Sequence, residues 1–205
     1  MARKTKAEAE ETRERILDAA ERLFFARGVM QTSLEHIAED VGVTRGAIYW
    51  HFSDKVALFR ALHERVRLPQ EAMVQQAVAD GHPDPLGFIE SVSLDAVNTI
   101  ANDPRLMRVY ATLLFRCEYV GEMAEALRRQ QDADAAMRAN LVRIFTMAHE
   151  NGSLASSWTP TIAARVFEAM IRGLWWDWLR HDQSFDLKVE GPRCIAELFA
   201  AFRAK

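Results

Sequence analysis

A ten-residue segment, 43–52, combines apolar residues with polar ones that can recognise nucleic acid. Its sequence is VTRGAIYWHF. At helical spacing, Val43, Ile48 and Phe52 turn toward a core. The remaining face carries side chains that donate hydrogen bonds to phosphates and base edges: Thr44, Arg45, Tyr49 and His51. This distribution favours a short helix that lies in the major groove of duplex DNA.

The residues before this segment predict the helix that must position it. Ser33 is a candidate N-cap, and Gly42 ends the helix that follows. The apolar residues between them recur at helical spacing: Leu34, Ile37, Ala38 and Val41. Thr44 then caps the next helix, which leaves a connection of about three residues, the size expected of a helix-turn-helix. An ordinary tight turn in a helical bundle is the alternative, and the polar face of 43–52 favours DNA binding.

A third helix upstream completes a small N-terminal core. Its apolar stripe consists of Ile16, Leu17, Ala20, Leu23 and Phe24. Gly28 is a natural C-cap for it. The first fifty-odd residues are therefore predicted to form a three-helix unit.

These motifs resemble the TetR/AcrR family of one-component bacterial repressors. The resemblance rests on residues 12–13, 16–20, 23–24, 28, 32–33, 37–38, 54–55 and 58–59, and above all on the block 42–52. The segments 1–6, 117–123 and 183–188 are similar to the AcrR branch, whose members repress multidrug efflux pump operons. The resemblance implies a ligand-responsive repressor of such an operon.

The predicted DNA contacts are Thr32, Ser33, Thr44, Arg45, Gly46, Tyr49, Trp50, His51 and Lys55. Arg45 is assigned to base reading, since arginine makes bidentate contacts with guanine. Tyr49 and His51 are expected to position the DNA backbone, whereas Trp50 is expected at the core or rim, with a base contact as the alternative. Ser33 is either a phosphate contact or a plain cap. The family resemblance implies a phosphate contact for Lys55.

Length and composition predict an all-α protein with two domains. The chain has 205 residues, of which 49% are hydrophobic and 27% charged. We expect a helix-turn-helix domain at 1–55 and a helical ligand-binding and dimerisation domain at 56–205, with about nine helices in total. There is no apolar run of about 18 residues and no secretory signal. A cytoplasmic protein is expected, one that joins the nucleoid when bound to its operator.

The charge of the N-terminal domain limits how it can bind DNA. Residues 1–55 contain nine basic and ten acidic side chains, although a DNA-binding face is usually basic. Affinity is therefore expected from local contacts and from dimer avidity. The basic residues at 3–6 form an arm, and Arg45 and Lys55 flank the reading helix.

Helical patterns continue through the second domain. A long fourth helix is expected from near Asp54 toward Gly81, followed by helices at roughly 86–101, 104–118, 121–150 and 160–180 and by a last amphipathic helix. The helix at 160–180 is apolar on two sides and must be covered on both. By resemblance, the second cover is another subunit in a two-fold symmetric four-helix interface; a fully intramolecular core is the alternative. The expected interface residues are Ile162, Val166, Met170, Gly173, Ile195, Leu198, Phe199 and Phe202.

The effector site is inferred from the resemblance, which places it among the fourth to eighth helices. The candidates are Leu62, His63, Val66, Arg67, Val92, Ala96, Met107, Ala111, Phe115, Cys117, Met137, Leu141, Phe167, Ile171, Arg172 and Trp175. Core packing is the alternative for each. If Arg67 and Arg172 reach the site, anionic or phenolic effectors are favoured over bulky cations.

The expected partners are palindromic double-stranded operator DNA, a hydrophobic or aromatic small molecule and a second copy of the chain, with no membrane association. No metal ligands are predicted, because the six histidines and two cysteines lack the spacing of paired ligands. No catalytic residues or cofactor are predicted either, because the sequence has no HExxH motif, no glycine-rich phosphate loop and no nucleophile–base pair. The nearer alternative is a repressor of the same fold that controls a catabolic or lipid-metabolism operon. An all-α enzyme is the remote one.

Overall fold

The computed structural model describes residues 6–66, 68–181 and 183–204. Within these ranges it contains ten α-helices and one short 3-10 helix but no strand, which confirms the all-α prediction. The helices are α1 Lys6–Arg27, α2 Leu34–Val41, α3 Arg45–His51, α4 Lys55–Arg65, α5 Pro69–Asp80, α6 Pro85–Asn102, α7 Pro104–Phe115, α8 Ala124–Glu150, α9 Pro160–Arg180 and α10 Leu187–Phe202, with the 3-10 turn at Gly121–Met123 before α8.

The chain divides into two compact units that differ in outline from the expected domains. The first unit contains Met1–Arg67 and Arg105–Arg128, and the second contains Leu68–Pro104 and Arg129–Lys205. Helix α7 therefore belongs almost wholly to the first unit, although it lies far from α1–α4 in sequence. The functional boundary at residue 55 stays a prediction.

The first unit is built on the apolar face of α1. Ile16, Leu17 and Phe24 are fully or almost fully buried there, where α1 packs against both α2 and α4. The Phe24 and Phe59 rings lie 6.3 Å apart, which ties α1 to α4. The predicted three-helix core is confirmed.

The long fourth helix expected from Asp54 toward Gly81 was wrong. Helix α4 ends at Arg65 and a separate helix, α5, begins at Pro69. Proline has no N–H and restricts the residue before it, so it suits the first position of a new helix and disrupts the interior of an old one. Pro69 in the sequence was the signal for this break.

The second unit is organised around α10. This helix packs on both α6 and α9. At Gly191 an added Cβ would lie 2.9 Å from Val97 Cγ1, so only glycine lets α10 come this close to α6. The core beside it is aromatic, with the Phe145 and Phe202 ring centroids 5.1 Å apart and those of Phe167 and Phe199 5.9 Å apart.

In the part of the chain that the structure describes, no helix is long and apolar enough to cross a membrane. The same residues contain no cluster of three or more histidine, cysteine, aspartate or glutamate side chains placed to hold a metal ion.

Candidate nucleic-acid interface and effector region

The turn between α2 and α3 is fixed by backbone geometry and two caps. Gly42 adopts φ +73°, a left-handed conformation that glycine allows most readily, and its N–H donates to carbonyl oxygens of α2. Ser33 Oγ accepts from the backbone N–H of His36, and the Ser33 N–H donates to His36 Nδ1 at 3.3 Å. Thr44 Oγ1 accepts from Ala47 N–H at 3.2 Å. Ser33 therefore caps α2, and a phosphate contact by Ser33 stays a prediction.

Helix α3 presents the polar face that the sequence predicts. Ile48 is fully buried and Phe52 almost so, whereas Arg45 and Tyr49 are exposed. Trp50 was expected at the core or rim, yet it is 73% exposed. Its ring meets the His51 ring edge-on at 4.6 Å. Trp50 is therefore accessible to a partner that binds this face.

One acidic residue that the sequence analysis did not single out lies on this face. Glu35 Oε1 is 3.1 Å from Arg45 Nε and accepts a hydrogen bond from the Tyr49 hydroxyl at 3.2 Å. A hydrogen bond from its own backbone amide is the main cause that lowers the pKa of Glu35. Burial opposes this shift, and the Tyr49 hydroxyl and the Arg45 charge add to it. The carboxylate is therefore ionised near neutral pH.

Two of the residues predicted to contact phosphates, Thr32 and Lys55, bind other groups of the chain. The Thr32 side chain is fully buried, and its hydroxyl donates to the Gly28 carbonyl at 2.9 Å, so this side chain is not on the surface. The Lys55 side chain is only 13% exposed, with Nζ 3.0 Å from Glu122 Oε1. A phosphate contact by Lys55 requires this ion pair to open. Gly46 is exposed, and a side chain there would meet nothing within 4 Å.

The expected interface residues of α10 lie in the core. Ile195, Phe199 and Phe202 are all 0% exposed within a single chain, which corrects their assignment to a dimer surface. An apolar stripe can be covered by the chain itself, and here the second unit covers it. Leu198 of α10 is half-buried.

Helix α9, by contrast, carries a stripe of apolar and small residues that is exposed except at Val166, which is half-buried. It comprises Ile162, Val166, Ala169, Gly173 and Trp176, at alternating spacings of four and three residues. Ile162 is 50% exposed and Trp176 48% exposed. The predicted Met170 is half-buried beside this stripe. Spacing of this kind is that of a helix seam that packs against another helix.

The effector candidates are divided between the two units. In the first unit, Leu62, Val66 and Ala111 are buried, and His63, Met107, Phe115 and Cys117 are half-buried. In the second unit, Val92, Ala96, Leu141 and Phe167 are buried, Met137, Ile171 and Trp175 are half-buried, and Arg172 is exposed. Arg67 lies outside the described residues.

The charge of Arg172 is balanced by acids. Its Nη2 lies 2.9 Å from Asp134 Oδ1 and 3.0 Å from Glu168 Oε1. Glu168 also accepts two hydrogen bonds from Arg138. Burial alone would raise the pKa of Glu168, but Arg138 and Arg172 outweigh it and lower that pKa. The charge of Arg172 is therefore paired within the chain, and its role at an effector site stays a prediction.

Gln70 is a polar residue that the sequence analysis missed. It lies in the first turn of α5 and is only 9% exposed. Among the described residues, no group donates a hydrogen bond to its Oε1. Buried acceptors are nearly always paired, so an unpaired one marks a position where a ligand can supply the donor. The one sequence signal for Gln70 is its position directly after Pro69, which places it in the first turn of a helix that was not expected to begin there.

Comparisons with known proteins agree with this architecture. The model of "Bacterial regulatory proteins, tetR family" matches residues 16–62, and that of "MAATS-type transcriptional repressor, C-terminal region" matches residues 84–203. The HTH-type transcriptional repressor BepR of Brucella suis biovar 1 is 42% identical over 202 residues, which covers 98% of this chain and 97% of BepR.

Solved structures give the same result. NalD, the secondary repressor of the MexAB-OprM multidrug efflux pump in Pseudomonas aeruginosa, has a TM-score of 0.83 at 34% identity, covering 98% of this chain and 100% of NalD. SmeT of Stenotrophomonas maltophilia, in complex with triclosan, has a TM-score of 0.84 at 30% identity, covering 95% of this chain and 93% of SmeT.

A capped bihelical unit with an exposed polar reading face, joined to a helical second unit, defines a transcriptional repressor of the helix-turn-helix class. The chain belongs to the TetR family, with a C-terminal region of the MAATS type.

Proposed function

We propose that this protein is a homodimeric repressor that binds a palindromic operator, controls a multidrug efflux operon and is released from DNA by hydrophobic small molecules. The exposed set of Arg45, Tyr49 and Trp50 on α3 carries the DNA-binding part. The names of NalD and SmeT as repressors of multidrug efflux pumps support the choice of operon. The role is regulatory rather than enzymatic, and it is carried out in the bacterial cytoplasm at the nucleoid.

Arg45 reads a base, and its neighbours fix the orientation of the DNA. Arginine can contact guanine O6 and N7 together, which discriminates against other bases by about 1–3 kcal/mol. Tyr49, His51 and the backbone at Gly46 and Thr44 contact phosphates. Trp50 extends this face and covers the sugar–phosphate edge with its ring. Lys55 contributes only once it leaves Glu122.

The exposed stripe on α9 is the dimer seam. Ala169 and Gly173 let two helices approach closely, while Ile162 and Trp176 supply apolar area at its two ends. A two-fold axis through this stripe pairs it with its own copy. Two copies of α3 separated by about 34–36 Å, one turn of DNA, then meet the two half-sites of a palindrome.

The effector binds in the second unit, with Gln70 as its polar anchor. An aromatic compound with a phenolic hydroxyl, such as triclosan, supplies the donor that Gln70 Oε1 needs. Apolar candidates of the same unit, such as Val92, Met137, Ile171 and Trp175, provide hydrophobic contact area. The candidates in the first unit, such as Leu62 and Phe115, are proposed as core. Because Arg172 is balanced by acids, we expect a neutral effector.

Release follows from thermodynamic linkage. The effector must bind better to a conformation whose reading helices are badly spaced for the operator. A coupling free energy of about 1–3 kcal/mol lowers operator affinity by about 5- to 150-fold, and DNA weakens effector binding by the same factor.

Footprinting on the DNA upstream of the protein's own gene, with and without triclosan, tests the proposal. A protected palindrome that triclosan exposes again is the expected result. Protection that triclosan leaves unchanged would contradict the effector class. A protected site beside genes of catabolism or lipid metabolism would favour a different operon.

A further inference from the structure

The reading face contains a closed arrangement of three side chains. Glu35 Oε1 contacts both Arg45 Nε and the Tyr49 hydroxyl, at 3.1 and 3.2 Å. Arg45 and Tyr49 lie one turn apart on α3, and Arg45 Cζ stands 5.6 Å from the centre of the Tyr49 ring. Each side chain therefore contacts the other two, and one carboxylate oxygen connects α2 to both residues of α3.

The anchor of this arrangement is itself held in place. Glu35 lies in the first turn of α2, between Ser33 and His36, the two residues that form the capping box of this helix. Helix α2 is fixed to the core through Leu34 and Ile37, which are buried. A carboxylate on a fixed helix restricts long side chains that would otherwise sample many rotamers in water.

This contact matters because of which Arg45 atom it engages. The ion pair contacts Arg45 at Nε, so that its two terminal amino groups remain for DNA. Those two groups form the fork that reads guanine O6 and N7. Restricting the Arg45 side chain before binding reduces the conformational entropy that it loses on the operator. This gain in affinity applies only to DNA in which the two amino groups contact a guanine.

We propose that Glu35 is a positioning residue for base reading: it orders Arg45 and Tyr49 on α3 and so sets the ratio of operator to non-specific affinity. The proposal rests on the DNA-binding function proposed above and on Arg45 as the base reader. It deepens that function, because specificity is a difference between two affinities, and the ordering of Arg45 by Glu35 strengthens only the affinity for the operator.

Removing an acid from a DNA-binding face also strengthens binding to any DNA, so the experiment needs a matched control. Glu39 lies one helical turn beyond Glu35 on α2 and is exposed. Glu35→Ala and Glu39→Ala each remove one negative charge, and by charge alone they strengthen binding to operator and scrambled duplex equally, with a similar change in salt dependence.

The test measures the affinity of both variants for operator and scrambled duplexes across a range of salt concentrations. We expect Glu35→Ala to lower the operator-to-scrambled ratio by about 2- to 10-fold per half-site, whereas Glu39→Ala leaves the ratio unchanged. Glu35→Gln, which still accepts from Tyr49 but lacks the charge, should fall between them. Equal ratios for the two alanine variants would overturn the proposal.

A second readout does not depend on DNA. In the free protein, the Arg45 Nε–H proton signal in NMR should be sharpened and shifted by Glu35, and Glu35→Ala should return it to the position of a solvated arginine. Glu39→Ala should not move it. If the native protein binds no upstream fragment, the proposed function fails, and this spectrum still decides whether Glu35 orders Arg45: an unchanged signal overturns the inference.

Discussion

Glu21 and Arg108 form an ion pair in which Glu21 Oε1 lies 2.6 Å from Arg108 Nη2, although the Glu21 side chain is only 3% exposed. Arg105 approaches the other carboxylate oxygen at 3.4 Å. Glu21 lies on α1 and both arginines lie on α7, so this buried acid joins α7 to the three-helix core. A buried carboxylate is stable only when it is paired in this way.

Replacement of Glu21 should destabilise the first unit. Glu21→Gln keeps the shape but removes the charge that balances Arg105 and Arg108, so we expect the free energy of unfolding to fall by about 1–3 kcal/mol. Urea denaturation at fixed protein concentration measures it. Glu11→Gln, on the exposed side of the same helix, should change stability by less than about 0.5 kcal/mol. Equal stability of both variants would mean that the buried pair gives no net stabilisation.

Removal of the proposed base reader should abolish specific DNA binding. Arg45→Ala in both subunits is expected to lower operator affinity at least about 30-fold, since each lost guanine contact is worth about 1–3 kcal/mol. Circular dichroism and effector binding should not change. Arg22→Ala serves as the control, because Arg22 is an exposed α1 arginine paired with Asp40. Operator affinity unaffected by Arg45→Ala in a gel shift would refute the assignment.

A charge on the α9 stripe should separate the subunits. Ile162→Glu places a carboxylate in the proposed seam, where the paired copy would desolvate it. We expect a monomer at micromolar concentration in sedimentation velocity, with operator affinity reduced through lost avidity. Arg143→Glu introduces the same acid at an exposed position of α8 and should leave the dimer intact. A dimeric Ile162→Glu protein would move the interface elsewhere.

Substitution of Gln70 should affect ligand binding and stability in opposite directions. Gln70→Leu removes a buried acceptor that has no donor among the described residues. The free energy of unfolding should stay the same or rise by about 1 kcal/mol, while the affinity for triclosan falls several-fold. Calorimetry and thermal melts measure the two effects. Gln75→Leu, at an exposed position of α5, should change neither, and undiminished triclosan affinity in Gln70→Leu would remove Gln70 from the site.

The Cys117 thiol should be unreactive at neutral pH. Burial raises the pKa of Cys117 from 9.0 to about 11. The positive charge of Lys55 opposes this shift, and the negative charge of Glu118 adds a smaller increase. The thiol therefore stays protonated in the folded chain, and iodoacetamide at pH 8 should modify it about 100-fold more slowly than in urea. A Cys194→Ser protein leaves Cys117 alone for this mass-spectrometric measurement. Fast alkylation of folded Cys117 would contradict this prediction.

The same raised pKa gives stability a pH dependence with a definite sign. Between pH 9 and about 11 the folded thiol holds a proton that the unfolded chain has released. The contribution of this thiol to the free energy of unfolding is therefore fully present below pH 9 and is lost as the pH rises through that window. A Cys117→Ser variant should lose less stability than the parent between pH 9 and 11, and parallel curves would exclude this contribution.

The helix-turn-helix was predictable because every signal for it is local. Ser33 and Thr44 cap their helices through side-chain contacts three residues away, and Gly42 takes the left-handed conformation that its type allows. Ile48 and Phe52 turn inward at helical spacing, as the pattern requires. The signal for the break before α5 is equally local, because Pro69 itself marks the first position of the new helix.

The contacts between side chains of different helices were decided by the tertiary structure. Glu35 meets Arg45 and Tyr49, and Glu21 meets Arg108, because separate helices bring them together; nothing in their spacing encodes it.

The sequence by itself determined the all-α class, the reading helix and its exposed polar face, since short-range backbone and capping preferences fix these. It also identified α9 and α10 as amphipathic, but an apolar stripe has the same pattern whether its own chain or another covers it. Only packing decided that Phe199 and Phe202 lie in the core and that Ile162 and Trp176 remain exposed, because burial depends on the position of every other helix in the unit.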